Sequence, residues 1–381
     1  MGFKLFEPHK IRKTMSNLLK DIYSPAFYDS FSDTVSKVMP SFNKATFLNL
    51  IFDDNWENKE LKDRMKHTSF VLNNFLPDDF EKAADTILNI ITELRKRQMR
   101  EITVEYMFFP GYIETFGLDH FDTSIKTIEC VTQFTSCEFA VRPFIIKYGE
   151  RMMKQMYQWS LHESHHVRRL ASEGSRPRLP WAIALPEFKN NPNPILPILE
   201  NLKTDNSDYV RRSVANNLND ISKDNPNIVI AIAEQWKGYG KETDALIKHG
   251  CRTLLKQGNP EILNYYGLNV SDKIQVRDLK ILTPQVKVGS DLKFSFTLIN
   301  LDSKTQTVRI EYAIYYLRQN GQLSKKVFKI SEREVKPTEK IIFNKSQSFR
   351  IITTRRFYIG QQKLSIIING QEKQENTFEL I

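Results

Sequence analysis

The sequence predicts a mostly α-helical protein with a C-terminal β domain: a HEAT-like helical repeat solenoid followed by an immunoglobulin-like β-sandwich. Three observations predict this fold class. Apolar residues recur three and four positions apart through roughly the first 265 residues, a short basic motif repeats at an interval near 40, and apolar and polar residues alternate past about residue 270. We therefore expect a helical domain at 1–268 and a sandwich at 269–381.

The helical half is illustrated by the segment DDFEKAADTILNIITELRKR at 78–97. Its apolar residues lie on one face of a helix, and the acidic pair Asp78 and Asp79 suits a helix N-terminus. No alternation of strands and helices is visible in this half. A doubly wound α/β sheet is therefore not expected.

A basic motif repeats within the helical half. Val167-Arg168-Arg169 recurs as Val210-Arg211-Arg212 after 43 residues, and Ile247-Lys248-His249 is a weaker copy 37 residues further on. Intervals near 40 are typical of HEAT-like repeats, in which paired helices stack and one face lines a concave surface. If equivalent helices stack side by side, their cations fall in register. The repeat therefore predicts a curved groove with a ladder of positive charges.

The C-terminal part has the pattern of short strands. Leu292, Phe294, Phe296 and Leu298 alternate with polar residues, as expected of strands with one buried face. Two Asn-Gly pairs, at 320–321 and 369–370, are placed where type I′ hairpin turns would connect such strands. About 110 residues of this kind favour an immunoglobulin-like sandwich.

Composition and charge restrict the function classes. The net charge of +10 favours a polyanionic partner, and nucleic acid is favoured over a membrane because no basic amphipathic helix accompanies the charge. No window approaches 18 consecutive apolar residues, and the N-terminus lacks the apolar core of a secretion signal. Three cysteines without paired spacing suggest neither a disulfide framework nor a Cys-rich zinc site. We expect a cytoplasmic protein without disulfides.

The segment HESHHVRRLASEGSRPRLPW at 162–181 contains a literal H-E-x-x-H, formed by His162, Glu163 and His166. In metallopeptidases this spacing presents two imidazoles to zinc from one helix face, and the glutamate acts as general base. Here the motif lies where a join between helices is expected, no third ligand is evident, and neighbouring arginines disfavour a divalent cation. We therefore expect no metal at this motif.

A cationic groove accounts for more of the same segment. Arginine can hold phosphate oxygens bidentately without reading sequence. Trp181 follows Pro180, so it either stacks on a ligand or packs against a neighbouring helix. Glu173, set among arginines, is either half of a structural ion pair or a functional acid near nucleic acid. Because a carboxylate facing DNA is repelled, the second alternative requires a chemical reason, such as a reaction at a sugar.

The segments HVRRLASEGSRPRLPW, VRRSVANNLNDISKDNP and HGCRTLLKQGNPE resemble the AlkC/AlkD family of HEAT-like DNA alkylation-repair glycosylases. The S-E-G-x-R-P-R-L-P-W run and the C-terminal sandwich point to the AlkC branch. The resemblance implies a monofunctional enzyme of base excision repair that requires no cofactor. Its implied reaction is hydrolysis of the N-glycosidic bond of cationic N3-alkylated bases, 3-methyladenine and 3-methylcytosine, in double-stranded DNA. The alternative is a HEAT-repeat DNA-binding protein without catalysis, because fold alone does not fix function.

The resemblance also implies roles for individual residues. Glu173 and Glu138 are the two carboxylates, although Glu138 has the alternative of a solvated charge at a helix start, and Trp181 is the aromatic partner. The residues expected to contact DNA phosphates are Arg169, Arg176 and Arg212, with Arg168 and Arg178 as substitutes, and with Arg211 and Lys248 in the cation ladder.

In the sandwich, Arg355 and Arg356 precede an aromatic pair and either reach a minor groove or belong to an ordinary strand end.

The expected partner is double-stranded DNA with alkylated bases. We expect the protein to be a monomer that binds neither a membrane nor a metal. Burial of both glutamates would contradict the catalytic assignment.

Overall fold

The computed structural model describes residues 19–96, 104–269, 271–351 and 356–381. The described chain begins with helices and ends with strands, as the sequence predicts. The α-helices are α1 Pro25–Val38, α2 Lys44–Ile51, α3 Leu61–Asn73, α4 Phe80–Arg95, α5 Phe108–Phe116, α6 Phe121–Val131, α7 Val141–Tyr148, α8 Glu150–Trp159, α9 His165–Gly174, α10 Pro186–Asn190, α11 Leu196–Leu202, α12 Asp208–Ile221, α13 Pro226–Gln235, α14 Lys241–Gly250, α15 Arg252–Gln257 and α16 Pro260–Tyr265. Short 3-10 helices occupy Leu19–Ile22, Trp56–Asn58 and Val104–Tyr106.

The helix predicted at 78–97 illustrates why these segments are helical. It forms as α4, and the side chain of the N-cap residue Asp79 accepts a hydrogen bond from the Lys82 amide at 3.0 Å. Residues three and four apart, including Phe80, Ala83 and Ile87, are buried along one face. The cap and the apolar stripe thus fix where the helix begins and which face packs inward.

The two helices that carry the basic motif pack against each other. In α9 the buried stripe includes Val167 and Leu170, and in α12 it includes Val210 and Val214. Helix α9 also contacts α8 and α11. The apolar residue of each Val-Arg-Arg motif therefore belongs to the core, and the arginines that follow it project beside the packed face.

The strands are β1 Ile274–Ile281, β2 Gln285–Val286, β3 Asp291–Asn300, β4 Gln306–Leu317, β5 Leu323–Val335, β6 Lys340–Ser348, β7 Gly360–Ile368 and β8 Gln371–Leu380. They form one sheet of order β1-β3-β6 and a second of order β2-β8-β7-β4-β5. Pairing is antiparallel except between β2 and β8. The alternating residues Leu292, Phe294, Phe296 and Leu298 are buried in the core of this sandwich, as their spacing predicts.

Only one of the two predicted type I′ turns is present. Asn369 and Gly370 both have positive φ angles, 45° and 79°, and connect β7 to β8 directly. The prediction for residues 320–321 is wrong: Gly321 has a φ of 76°, but Asn320 is not in the left-handed region, and the connection spans residues 318–322. A longer loop removes the need for two consecutive left-handed residues.

The described chain divides into two compact units. The first comprises the residues up to Asp224 together with Gly238–Leu246, and the second comprises Asn225–Lys237 together with Ile247–Ile381. The change from helices to strands lies between Tyr265 and Ile274. Helices α13, α15 and α16 nevertheless belong to the same compact unit as the strands.

Contacts within the second unit account for this grouping. The backbones of Gly258 and Gly370 approach so closely that a Cβ at Gly258 would lie 2.9 Å from the Gly370 carbonyl oxygen. The side-chain amide of Asn369 donates to the Asn269 carbonyl at 2.8 Å. Glycines at both positions therefore allow the last helices to contact the β7–β8 turn.

Among the helices that the structure describes, none combines the length and the apolar character required to cross a bilayer.

Candidate active site

Helix α9 positions the residues of the central motif. Arg169 and Glu173 are four residues apart, so they lie on the same face of the helix. The segment that follows, residues 175–183, leads through two prolines to Trp181 and on to α10. The helix and this loop together hold the side chains that the sequence singled out.

The H-E-x-x-H spacing does not form a metal site in the described chain. Helix α9 begins at His165, so His162 precedes it and does not share a helix face with His166. Instead, His162 Nδ1 accepts a hydrogen bond from the Ser164 amide at 2.9 Å. Across the described residues, no cluster of three His, Cys, Asp or Glu side chains is arranged to hold a metal ion.

Alternating charges run through the first unit from Glu138 to Asp220. Arg169 donates to Glu138 and lies 3.7 Å from Glu173, measured from Nη2 to Oε1. The same Glu173 oxygen accepts from Arg176 Nη1 at 2.7 Å, and Arg176 Nε donates to Asp220 at 2.8 Å. One guanidinium, that of Arg169, thus links the two glutamates that the sequence selected.

Further contacts fix Arg169 in place. Its Nη1 also donates to the Ser136 hydroxyl at 2.8 Å, and its guanidinium lies 4.7 Å from the centre of the Tyr209 ring. Burial by itself lowers the pKa of Arg169, but the neighbouring carboxylates of Glu138 and Glu173 outweigh burial and raise that pKa above its ordinary value. Arg169 therefore stays charged, as a buried cation must if it is to be paired.

The two glutamates differ in accessibility. The Glu173 side chain is buried, with 7% of its surface exposed, whereas the Glu138 side chain is 16% exposed. Burial of both glutamates would contradict the catalytic assignment, but only Glu173 is buried. Of the two alternatives for Glu173, the structural ion pair is formed in this structure. Glu138 is bound to Arg169 and is not a solvated charge at a helix start.

Trp181 is the most distinctive residue of the loop. Its φ angle of 66° lies in the left-handed region, which is uncommon for a bulky residue and indicates local strain. Its surface is 67% exposed, whereas Trp56, Trp159 and Trp236 are no more than 5% exposed. Packing of Trp181 against a neighbouring helix, one of its two sequence alternatives, is therefore wrong. An exposed aromatic ring on a strained backbone is available for stacking on a ligand.

Arg142 is an important residue that the sequence did not indicate. Its guanidinium is fully buried and donates to three backbone carbonyls: Nη1 to Gly174 at 2.9 Å and to Arg176 at 2.8 Å, and Nε to Ile183 at 2.5 Å. These carbonyls flank Trp181 on both sides. Burial, reinforced by repulsion from Arg176, lowers the pKa of Arg142 to about 10, so the group remains a cation near neutral pH. Arg142 therefore fastens both ends of the Trp181 loop.

Several arginines predicted to hold phosphates have internal partners instead. Arg176 is 7% exposed and bound to Glu173 and Asp220, so the phosphate contact predicted for it is not supported. Arg168 binds Asp205 through two bonds of 2.6 and 3.0 Å. The guanidinium groups of both arginines therefore already donate to carboxylates of the same unit, and a phosphate would require those same donors.

Among the remaining predicted cations, Arg212 and Arg178 keep more of their surface, whereas the Arg211 side chain is only 17% exposed. Arg212 is 69% exposed and pairs with Asp208 one helical turn away, and Arg211 donates to the Asp205 carbonyl at 2.7 Å. Arg178 is partly exposed and makes a bidentate pair with Asp224. For Arg211, Arg212 and Arg178 the phosphate contact stays a prediction.

In the second unit, Lys248 binds Glu332 and lies 5.1 Å from the centre of the Tyr266 ring. Arg356 is exposed and lies 5.5 Å from the centre of the Tyr358 ring. Its neighbour Arg355 lies outside the described residues. The minor-groove contact therefore stays a prediction for Arg356.

Comparison with known proteins gives consistent results over nearly the whole chain. The family model described as "DNA alkylation repair enzyme" matches residues 112–252, and that of the YhaZ C-terminal Ig-like domain matches residues 275–381. Uncharacterized protein YhaZ of Bacillus subtilis (strain 168) is 42% identical over 362 residues, covering 95% of this chain and 99% of the relative. One solved structure matches with a TM-score of 0.89 and 32% identity, covering 96% of this chain and 99% of that one. It is the Pseudomonas fluorescens alkylpurine DNA glycosylase AlkC bound to DNA containing an abasic site analog.

Proposed function

Since the chain belongs to the AlkC branch of the DNA alkylation repair enzymes, we propose that it is a DNA glycosylase that removes cationic N3-alkylated bases from double-stranded DNA. The proposed substrates are 3-methyladenine and 3-methylcytosine. Support for a DNA partner comes from the similar Pseudomonas protein, which is an alkylpurine DNA glycosylase bound to DNA that contains an abasic site analog.

The observation that carries the proposal is the pair of glutamates joined by Arg169, next to a loop that presents Trp181. A base alkylated at N3 is positively charged, so it leaves readily with the electrons of its bond to C1′. Positive charge then develops on the sugar, and a nearby carboxylate stabilises it electrostatically. Water attacks C1′ and loses a proton to a carboxylate, as in glycoside hydrolysis.

We assign different roles to the two carboxylates because their surroundings differ. Glu138 retains exposed surface, so it is the group proposed to face the sugar and the attacking water. Glu173 lies between Arg169 and Arg176, and it is proposed to contribute negative charge to the site while holding Arg169 in place. Trp181 is proposed to place its ring against the cationic nucleotide.

The direct experiment uses a duplex that contains 3-methyladenine or 3-methylcytosine and measures the free base by chromatography under single-turnover conditions. We expect Glu138→Gln and Glu173→Gln each to lower the rate by roughly 10²-fold or more while leaving binding to undamaged duplex nearly unchanged. An unchanged rate in either variant would remove that residue from the catalytic assignment.

Glu163→Gln is the matched control. Glu163 belongs to the same segment, is exposed, and its side chain makes no hydrogen bond or ion pair within the described residues. It is also the residue that would act as general base in a zinc peptidase. We expect wild-type base release from this variant, whereas a large loss would point to chemistry centred on the H-E-x-x-H sequence.

The alternative function, a DNA-binding protein without catalysis, is favoured by one observation: Glu173 is buried and already paired with two arginines. Under this alternative, the wild-type protein binds duplex DNA with a steep salt dependence but releases no base above the buffer level. The two measurements together distinguish the functions, because the glycosylase requires both binding and release.

A further inference from the structure

The first unit contains a cavity beside Trp181 that none of the assigned roles uses. Its volume is about 490 Å³, and it is open to solvent. Helices α3 and α5 form two of its walls, and Trp181 lies on its rim together with Ile183. Phe139, which directly follows Glu138, also lines it. The cavity therefore adjoins the exposed tryptophan and the residue that follows the more accessible of the two carboxylates in the chain.

Two lysines of α3 give this cavity its charge. Lys62 and Lys66 are four residues apart, so both side chains lie on the helix face that lines the cavity. Neither forms an ion pair with any residue that the structure describes. Lys62 donates to the Trp181 carbonyl, and the Lys66 ammonium lies 5.7 Å from the centre of the Phe70 ring. These cations contrast with Arg168, Arg169 and Arg176, whose charges are neutralised by carboxylates.

Glu114 of α5 is the single acidic side chain among the described residues that line the cavity. Burial raises the pKa of Glu114, and the two lysines oppose that rise only partly. Even with Glu114 ionised, two cations face one carboxylate. The cavity is therefore positively charged, and a cationic nucleobase would be repelled from it.

We propose that this cavity is a phosphate-binding subsite in which Lys62 and Lys66 hold a phosphodiester of the DNA strand that passes Trp181. The proposal rests on the proposed function, because it uses the strand that places a nucleotide near Glu138. Lysine binds phosphate as a point charge, and two ammonium groups one helical turn apart can share the oxygens of one phosphate. The aromatic rim provides a surface on which the neighbouring sugar and base can rest.

The test measures the affinity for an undamaged duplex at several salt concentrations. Each neutralised phosphate contributes about 0.9 to the negative slope of log K against log salt. Because the two lysines share one phosphate, the double variant Lys62→Gln/Lys66→Gln is expected to lower the slope by about this amount, and each single variant by part of it. Lys66→Gln is the cleaner variant, because Lys66 makes no hydrogen bond to the described residues whereas Lys62 supports the Trp181 loop.

Lys126→Gln is the matched control. Lys126 is an exposed lysine of α6 that has no ion-pair partner in the described parts of the chain and does not line the cavity. The variant removes the same charge as Lys66→Gln. Because Lys126 does not line the cavity, the salt slope of the variant should equal that of the wild type. Equal slopes for the wild type, Lys66→Gln and Lys62→Gln would overturn the subsite.

Tryptophan fluorescence provides an independent measurement. Since the other three tryptophans are buried, acrylamide quenching of the intact protein reports mainly on Trp181. We expect saturating duplex to lower this quenching clearly. Unchanged quenching with bound duplex would show that the strand does not pass Trp181, and the proposal would be wrong.

These results separate the subsite from the glycosylase proposal. A fall in slope together with protection of Trp181, but without base release, would support the subsite in a protein that is not a glycosylase. Base release with wild-type slopes in both lysine variants would support the glycosylase and reject the subsite.

Discussion

The two Val-Arg-Arg motifs, in α9 and α12, have the same three letters and different surroundings. In α9 the side chains of Arg168 and Arg169 are 15% and 13% exposed and paired with carboxylates. In α12 the side chain of Arg212 is 69% exposed, and within the described chain its ion-pair partner is Asp208 of its own helix alone. The second arginine of the motif, Arg169 or Arg212, therefore has an internal role in one helix and an external position in the other. The first arginine, Arg168 or Arg211, is mostly buried in both helices, with 15% and 17% of its side chain exposed.

The difference comes from residues outside the motif. Glu138 and Asp205, which pair with the arginines of α9, lie in the segments before α7 and before α12. Tyr209 of α12 also places its ring 4.7 Å from the Arg169 guanidinium. Helix α12 thus helps to hold Arg169 in place, and its own Arg212 has no comparable partner from elsewhere in the described chain.

The largest effect is expected from Arg169→Ala. This change removes the guanidinium that joins Glu138 to Glu173, so both carboxylates lose their alignment. We expect the single-turnover rate of base release to fall roughly 10²-fold while affinity for undamaged duplex stays close to that of the wild type. Arg169→Lys should recover only part of the rate, because an ammonium lacks the fork that reaches both partners.

Arg169 would instead be a phosphate contact, as the sequence suggested, if its loss weakened binding to damaged and undamaged duplex equally and left the rate of release at saturation unchanged. That outcome would remove the contrast between the two motifs.

The next largest effect concerns stability. Arg168→Ala leaves Asp205, whose side chain is 4% exposed, without the two bonds it receives from the guanidinium. Leaving a buried charge unpaired is expected to lower the free energy of unfolding by about 2 kcal/mol, measured by thermal or denaturant unfolding. Arg212→Ala in α12 is the paired control and should change stability by less than about 0.5 kcal/mol. Equal losses from the two variants would contradict the internal role of the first motif.

Arg212→Ala is in turn expected to affect DNA. If Arg212 contacts a phosphate, its removal should lower the negative salt slope of duplex binding by about 0.9. The decrease should be equal for damaged and undamaged DNA. Affinity measurements at several salt concentrations test this. A loss confined to damaged DNA would place Arg212 at the lesion instead.

The smallest effect is expected at the contact between the two helices. Tyr209→Phe keeps the ring under the Arg169 guanidinium, so stability and base release should stay close to wild type. Tyr209→Leu removes the aromatic face and should lower the free energy of unfolding by roughly 1 kcal/mol. If Phe and Leu behaved alike in unfolding and turnover measurements, the ring would contribute nothing to holding Arg169.

Residues near the candidate site show where sequence reasoning succeeds and where it fails. The sequence predicts that Glu173 and Trp181 belong to the site. In the structure, Arg169 joins Glu173 to Glu138, and Trp181 is exposed. Arg142 was missed, because an arginine in an apolar helix carries no sign of which carbonyls it will meet. Those carbonyls, of Gly174, Arg176 and Ile183, lie 32 to 41 residues away in sequence.

The sequence by itself determined the order of helices and strands, the buried stripe of α4, and the left-handed turn at Asn369 and Gly370. It did so because helical periodicity, strand alternation and turn geometry are local properties of the chain. Only the tertiary structure decided which cations are neutralised and which remain available. Arg169 and Arg176 meet carboxylates 31 and 44 residues away, while Lys66 meets none in the described chain. Pairing between distant charges depends on how helices pack, and adjacent letters do not specify that.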